Sequence, residues 1–251
     1  THLILLGHNA LEKALACRDK RQDRAHWVVA YVPEALWYQM ASQHFHTLSE
    51  LSIDIIAVDP PPLCQLALAR TIYPRGRRIG TFSSQYTKRW QSMLSRFTDN
   101  DIEAFRLDIA PVTQTNFAGT FLFSIKRHDL VLLPLAPQFI NAYTARNVLL
   151  AAYRQRTPLI GNSRNFVHAG ALASCIVTIE QQGTLLKDIL SSPAKGFQKG
   201  VRLHFSEAFD IVVNPQVAQA YGVLPGTPKR LKAQIEKQLD RWQKYERDQA
   251  K

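Results

Sequence analysis

The chain has 251 residues, 46% hydrophobic and 20% charged, the balance of a globular protein long enough for one large domain or two modest ones. No apolar run approaches the ~20 residues that a membrane-spanning helix needs. The net charge of +11 is scattered, with small clusters at Arg18–Arg24 and Arg75–Arg78 and a basic tail over 227–251. No nucleic-acid-reading motif accompanies it, so the expectation is a solvated basic surface and no nucleic-acid partner.

Strand and helix signals alternate from the start. Thr1–Gly7 has neither a basic leader nor a small-residue cleavage site, so it reads as a strand (Leu3–Leu6) rather than a signal peptide. Asn9 can cap a helix through about Cys17, Trp27–Tyr31 is a strand, and a short helix covers Glu34–Ser42. Ser52–Val58 is a third strand, and Pro60-Pro61-Pro62 breaks the chain and starts a helix over Leu63–Ile72. The Pro60–Gly76 region is the expected crossing between two lobes. Arg78–Phe82 is a strand, Ser83 and Ser84 precede a helix over Thr87–Phe97, and Ile102–Ile109 is a strand. A helix over Asn116–Ile125, with Thr115 as its cap, follows.

Asp129–Ser174 reads as strand, loop, helix, strand, loop, helix. Asp129–Leu135 is almost wholly apolar, as a strand buried on both faces should be. Thr144 can cap a helix through Arg154, Pro158 stops it, and Leu159–Ile160 runs into Gly161-Asn162-Ser163. The polar and turn residues thus fall just after strands, at the carboxyl edge where open α/β sheets bind ligands. Thr178–Leu190 is a helix, and Val201–Phe205 and Phe209–Val213 are strands joined by a short polar turn. Asn214-Pro215 opens a short helix ending at Gly222. A long helix after Pro228 carries Leu231, Ile235, Leu239 and Trp242 on one stripe. This alternation predicts parallel sheets built from strand–helix–strand units.

Three segments resemble, in order and spacing, the ABC transporter substrate-binding proteins of the tryptophan/tyrosine type. They are Leu66–Ser84 (LALARTIYPRGRRIGTFSS), Asp129–Ser174 and Phe209–Pro225 (FDIVVNPQVAQAYGVLP). The resemblance implies an α/β protein of two Rossmann-like lobes with parallel sheets, periplasmic binding protein type I-like, plus a C-terminal helix. It implies an N-terminal lobe over 1–74 with the family's first strand–helix unit missing, a C-terminal lobe over 75–190, return and hinge segments over 191–226, and the helix over 227–251. A small-molecule solute would bind between the lobes without chemistry. Matching residue by residue, the ligand-binding positions would be Gly7, His8, Asn9, Tyr31, Phe82, Ser83, Ser84, Gln138, Asn141, Asn162 and Ser163. The partner would be an ABC permease or a membrane sensor protein, and the location periplasmic or lipid-anchored. Two departures bear on the ligand: Ala136-Pro137-Gln138 and Asn162-Ser163 stand where many members carry a carboxylate that would hold an amino acid's ammonium group.

Plainer readings compete at several positions. Asn9, Ser84 and Thr144 can serve as helix caps. His8 follows a strand at a possible anion-attracting helix start, but no phosphate-loop glycine pattern surrounds it. Cys17, Cys64 and Cys175 fit no metal or CxxC spacing and read as small buried residues, with oxidation of one pair left open. His44 and His46 lack neighbouring ligands, so no metal is expected. No nucleophile elbow, HExxH motif or paired carboxylates are found, so the chain is read as a non-enzyme without cofactor. A ligand-sensing module is the alternative function, and an enzyme on a Rossmann-like scaffold a third.

Overall fold

The computed structural model describes residues 2–17, 25–97, 105–191 and 199–249. In chain order its elements are β1 (His2–Leu6), α1 (His8–Ala16), β2 (His26–Val32), α2 (Glu34–Gln43), α3 (Phe45–Glu50), β3 (Ser52–Ala57) and α4 (Pro62–Ile72). Then come β4 (Arg78–Ser83), α5 (Lys88–Leu94), β5 (Arg106–Pro111), α6 (Phe117–Arg127), β6 (Leu130–Leu132), α7 (Ala145–Arg154), β7 (Leu159–Ile160) and α8 (Arg164–His168). The rest are β8 (Ala173–Ile176), α9 (Ile179–Ser191), β9 (Gly200–Phe205), β10 (Asp210–Val213), α10 (Pro215–Ala220) and α11 (Pro228–Gln249). The basic cluster at Arg18–Arg24 and the first residues of the strand expected at 102–109 lie largely outside the described residues.

Two compact units result: Thr1–Asp59 with Val177–Phe209, and Pro60–Ile176 with Asp210–Lys251. The first division falls at Pro60, in the proline break, and the others at Val177 and Asp210, against boundaries expected at 74, 190 and 226. Helix α4 belongs to the second unit because it packs on β6, β8, α5 and α11. Helix α9 belongs to the first, where Leu185, Leu186, Ile189 and Leu190 cover Val28, Ala30 and Ile56. The strands around residues 201–205 and 209–213 do not pair with each other. They end in different sheets, one in each unit.

The first unit is a four-stranded sheet, β1-β2-β3-β9, parallel throughout. Alternation along each strand sends Trp27, Val29, Ile53 and Ile55 to the α1–α3 side, where Leu11, Trp37 and Met40 meet them. The central strands are buried on both faces, which accounts for their nearly unbroken apolar sequence.

The second unit is a six-stranded sheet, β10-β8-β7-β6-β4-β5, parallel except for the antiparallel edge pair β10 and β8. Strand β8 was not expected. The segment read as continuing helix to Ser174 makes only the short α8, then a wholly buried strand at Ala173–Ile176. Residues Gly80 to Phe82 of β4 show how the layers divide. A Cβ on Gly80 would lie 2.5 Å from Ser124 Oγ of α6, Phe82 stacks edge-on against Phe117 of α6, and Thr81 between them accepts the Trp90 indole N–H of α5 at 3.1 Å. Helices α6 and α5 therefore cover opposite faces. Helix α11 packs back on this unit, burying Leu231, Ile235 and Trp242, the last against Phe97.

The cysteines correct the expectation of unbonded small residues. Cys64 in α4 and Cys175 in β8 form a disulfide across 111 residues of sequence, while Cys17 is free and exposed. Gln65 reinforces the link: its Oε1 accepts the Cys175 N–H at 3.0 Å and its Nε2 donates to the Cys175 carbonyl at 3.0 Å. Side chain and strand backbone thus pair as a neighbouring strand would, leaving no buried amide unsatisfied there.

Candidate functional site

In the second unit the chain runs from β4 outward to β5, then returns to place β6 on the other side of β4. That reversal is a topological switch point, and the loops leaving the carboxyl ends of the adjacent strands flank it. The loops after β4, β6 and β7 carry Ser83–Ser84, Gln138–Asn141 and Asn162–Ser163, so strand order brings these distant candidates to one edge. A direct bond joins two of the loops: Asn162 Nδ2 donates to the Pro134 carbonyl at 2.9 Å. Across the switch point, Thr81 Oγ1 donates to the Leu132 carbonyl at 3.0 Å and fixes β4 against β6.

Many of the polar groups are engaged in building these loops. Asn141 accepts the Tyr143 and Thr144 N–H groups on Oδ1 and donates to the Pro137 carbonyl, a local turn that shapes the loop after β6. Ser84 accepts the Tyr86 N–H, and its own N–H donates to Thr87 Oγ1. Ser163 caps α8 by accepting the Phe166 N–H at 3.3 Å. Thr144, expected as a side-chain cap of α7, instead donates to the Phe139 carbonyl. Gln138 is half-buried and Ser83 buried. Phe82 is corrected: it is fully buried among Phe117 and Phe121 and offers no face to a ligand.

Sequence reading missed the aromatic groups of this edge. Tyr143 is 91% exposed in the loop after β6, and Tyr86 is half-buried in the loop after β4. Their positions just beyond strand ends were the available signal. The three loop segments 83–87, 133–144 and 161–163 contain no charged residue, so they offer hydroxyls, amides and rings, with exposed Arg146 and Arg164 following them in the first turns of α7 and α8.

In the first unit Gly7 follows β1 with φ +84°, a left-handed conformation that suits glycine. It is the N-cap residue of α1, and its N–H donates to the Ala30 carbonyl at 2.8 Å. Asn9 is therefore not the cap; His8 and Asn9 lie in the first turn of α1. Tyr31, next to last in β2, has φ +62°, a strained conformation for a tyrosine, and its hydroxyl donates to the Ile179 carbonyl at 3.4 Å. Burial and the nearby Glu180 carboxylate both push its phenol upward. Gly7 and Tyr31 thus meet at one carboxyl edge through the Gly7–Ala30 bond.

Two polar clusters lie away from these edges. At the amino end of the first sheet, Asp54 is held by His26 Nε2 at 2.5 Å, His204 Nε2 at 2.6 Å and Arg202 Nε at 2.7 Å. Burial alone would raise its carboxyl, but the hydrogen bonds from Arg202, His204 and His26 and the Arg202 charge lower it to about 2. The cluster ties β2, β3 and β9 together. In the second unit, Ser124 Oγ lies 2.9 Å from His128 Nδ1, and His128 Nε2 lies 3.0 Å from Asp108 Oδ2. This has the composition of a catalytic triad, and sequence spacing concealed it. Ser124 is buried, however, and packs over Gly80, so the chain of bonds locks α6 onto β4 and β5. Burial works against the Asp108 charge, while bonds from Arg106 and His128 hold its carboxyl below the usual range.

Among the described residues no group of three His, Cys, Asp or Glu is placed to hold a metal. His44 stands at the α2–α3 junction and His46 in α3, not along a strand. No described helix is long and apolar enough to cross a membrane.

No protein-family model and no curated protein matches the sequence. Solved structures do match. One is an ABC domain in complex with L-Trp from Streptococcus pneumonia, 13% identical with a TM-score of 0.59, covering 89% of this chain and 74% of that one. A substrate binding protein with adhesive properties from Clostridium difficile, in a ligand-free, open form, is 15% identical with a TM-score of 0.59 over 90% of this chain and 75% of that one. A conserved domain protein from Vibrio cholerae is 16% identical with a TM-score of 0.59, covering 93% and 76%. The chain has the α/β fold of periplasmic binding protein type I-like proteins, a fold it shares with substrate-binding proteins.

Proposed function

We propose that this chain is a solute-binding protein that captures a small organic molecule at its carboxyl-edge loops and delivers it to an ABC-type importer, without chemistry. The observation that carries the reading is the uncharged, hydroxyl-, amide- and tyrosine-bearing set of loops at the switch point of the second unit. The buried Cys64–Cys175 disulfide supports an oxidising, extracytoplasmic location, either periplasmic or lipid-anchored.

The pneumococcal structure holds L-Trp, so aromatic amino acids belong in the first screen. The loops after β4, β6 and β7 offer no carboxylate for an ammonium group, which favours aromatic acids or nucleosides over free amino acids. Exposed carboxylates near the other edge are Glu180, whose charge reaches Tyr31, and Glu207, which follows β9. A thermal-shift screen of the three compound classes tests the proposal, because a ligand at about 100 times its Kd stabilises the folded state by about 2.7 kcal/mol. Tyr143→Ala should weaken the hit roughly 3- to 10-fold, the worth of one aromatic contact. Glu180→Gln should weaken it only if the ligand carries an ammonium group. If no class shifts the melting temperature, or if Tyr143→Ala binds as the parent does, the reading fails.

A further inference from the structure

The second unit carries an unusually one-sided charge on one helical layer. Residues 112–176 hold six Lys/Arg (Lys126, Arg127, Arg146, Arg154, Arg156 and Arg164) against a single acid, Asp129. Asp129 is committed elsewhere, accepting the Arg77 and Arg78 backbone N–H groups at 2.9 Å each. None of the six cations forms an ion pair among the described residues, and Arg127 lies over the Phe123 ring at 4.9 Å.

The helix period places most of these groups on one surface. In α6 the buried residues are Phe117, Phe121, Ser124 and Ile125, so Phe123 and Lys126 point straight outward with Leu122 and Arg127 beside them. In α7 the buried residues are Val148 and Ala152, which turns Arg146, Leu150, Tyr153 and Arg154 outward. The two helices touch and lie on the same sheet face, as right-handed crossovers from β5 to β6 and β6 to β7 require. Phe123 is 57% and Tyr153 67% exposed, with Leu122 and Leu150 above 40%. Unpaired cations and protruding apolar side chains therefore alternate across one helical layer.

We propose that the outer face of α6 and α7 docks on an anionic phospholipid surface. Cations in this array gain from anionic headgroups at a distance, and isolated apolar side chains on convex helices can enter the headgroup–acyl boundary without a complementary pocket. A protein partner would have to supply such pockets for its anchors, which makes lipid the better fit. The inference does not depend on the solute reading, because Lys126, Arg127, Tyr153 and Arg154 lie in the last turns of α6 and α7, at the end of those helices away from the carboxyl-edge loops, and only Arg146 lies in the first turn of α7, beside them.

The test is co-sedimentation of the full chain with phosphatidylcholine vesicles carrying about one-third phosphatidylglycerol, at low salt and at about 0.15 M salt. The chain should bind these vesicles, bind pure phosphatidylcholine far more weakly, and weaken as salt rises. Removing three cations in Lys126→Gln/Arg146→Gln/Arg154→Gln should reduce binding on the order of a hundred-fold, at about 5-fold per cation. Phe123→Ser/Tyr153→Ser should weaken it and leave the salt dependence in place. A control with the same loss of charge on α11, Lys229→Gln/Lys237→Gln/Arg241→Gln, should bind within about two-fold of the parent. All these positions are exposed, and circular dichroism verifies their folding. No binding to the anionic vesicles, an equal loss in the α11 control, or binding to polyglutamate but not to vesicles would each overturn the proposal.

Discussion

Breaking the Cys64–Cys175 link should destabilise the second unit selectively. The bridge closes a loop of 111 residues, and the chain-entropy relation for a loop of that size gives about 4.8 kcal/mol at room temperature. With a urea dependence of about 2 kcal/mol per molar, the midpoint of that unit should fall by about 2 M on reduction. Reduction keeps both sulfur atoms in the core, where the two residues are fully buried, so it isolates the cross-link better than substitution does. Cys64→Ala/Cys175→Ala adds the loss of buried volume and should fall further. The tryptophans report the units separately: Trp27 and Trp37 belong to the first, Trp90 and Trp242 to the second. Trp27→Phe/Trp37→Phe leaves emission from the second unit alone, and its midpoint should move on reduction. The complementary variant, Trp90→Phe/Trp242→Phe, should show a nearly unchanged midpoint. Thiol titration of the unfolded, unreduced chain should find one thiol, Cys17, rising to three after reduction. Three thiols before reduction, or a midpoint shift shared equally by both units, would refute the reasoning.

Two further outcomes follow from the polar clusters. Asp54 has its carboxyl lowered to about 2 from an ordinary 3.8, so its charged form stabilises the fold above about pH 4, and this stability, on the order of 2–3 kcal/mol, is lost as pH falls through about 2. Asp54→Asn should therefore cost about that much near neutrality and little near pH 2, as read from urea midpoints across pH; a constant difference at every pH would contradict the assignment. Gly80→Ala would place its Cβ 2.5 Å from Ser124 Oγ and 2.6 Å from His128 Nδ1, so it should destabilise by about 1–3 kcal/mol. Adding Ser124→Ala should recover part of that loss, and a neutral Gly80→Ala would mean that α6 is not held as described.

Much of the edge geometry could be read from the chain, because it rests on local rules. Apolar runs such as Ser52–Ala57 become strands buried on both faces, prolines at 60–62 break the chain and open α4, and turn residues gather beyond strand ends. Caps were less legible: they were expected at Asn9, Ser84 and Thr144, none of which caps a helix through its side chain, while Ser163, read as a ligand-binding position, caps α8. Strand β8 was harder. Its four residues, ASCI, are short and small, and burial by neighbours rather than propensity makes them extended. Phe82 looked like an aromatic cleft residue, but alternation on β4 sends it under α6.

The sequence by itself determined the alternation of strands and helices, the carboxyl-edge position of Ser84, Asn141 and Asn162, and the want of acids in their loops, because each depends on near neighbours in the chain. Only the tertiary structure decided which strands lie side by side, that β9 and β10 part into different sheets, and that Cys64 meets Cys175. The same holds for Asp54 with His26 and Arg202, and for Ser124 and His128 with Asp108. These associations join residues tens to more than a hundred positions apart. They depend on strand order and layer packing, which local sequence preference does not encode.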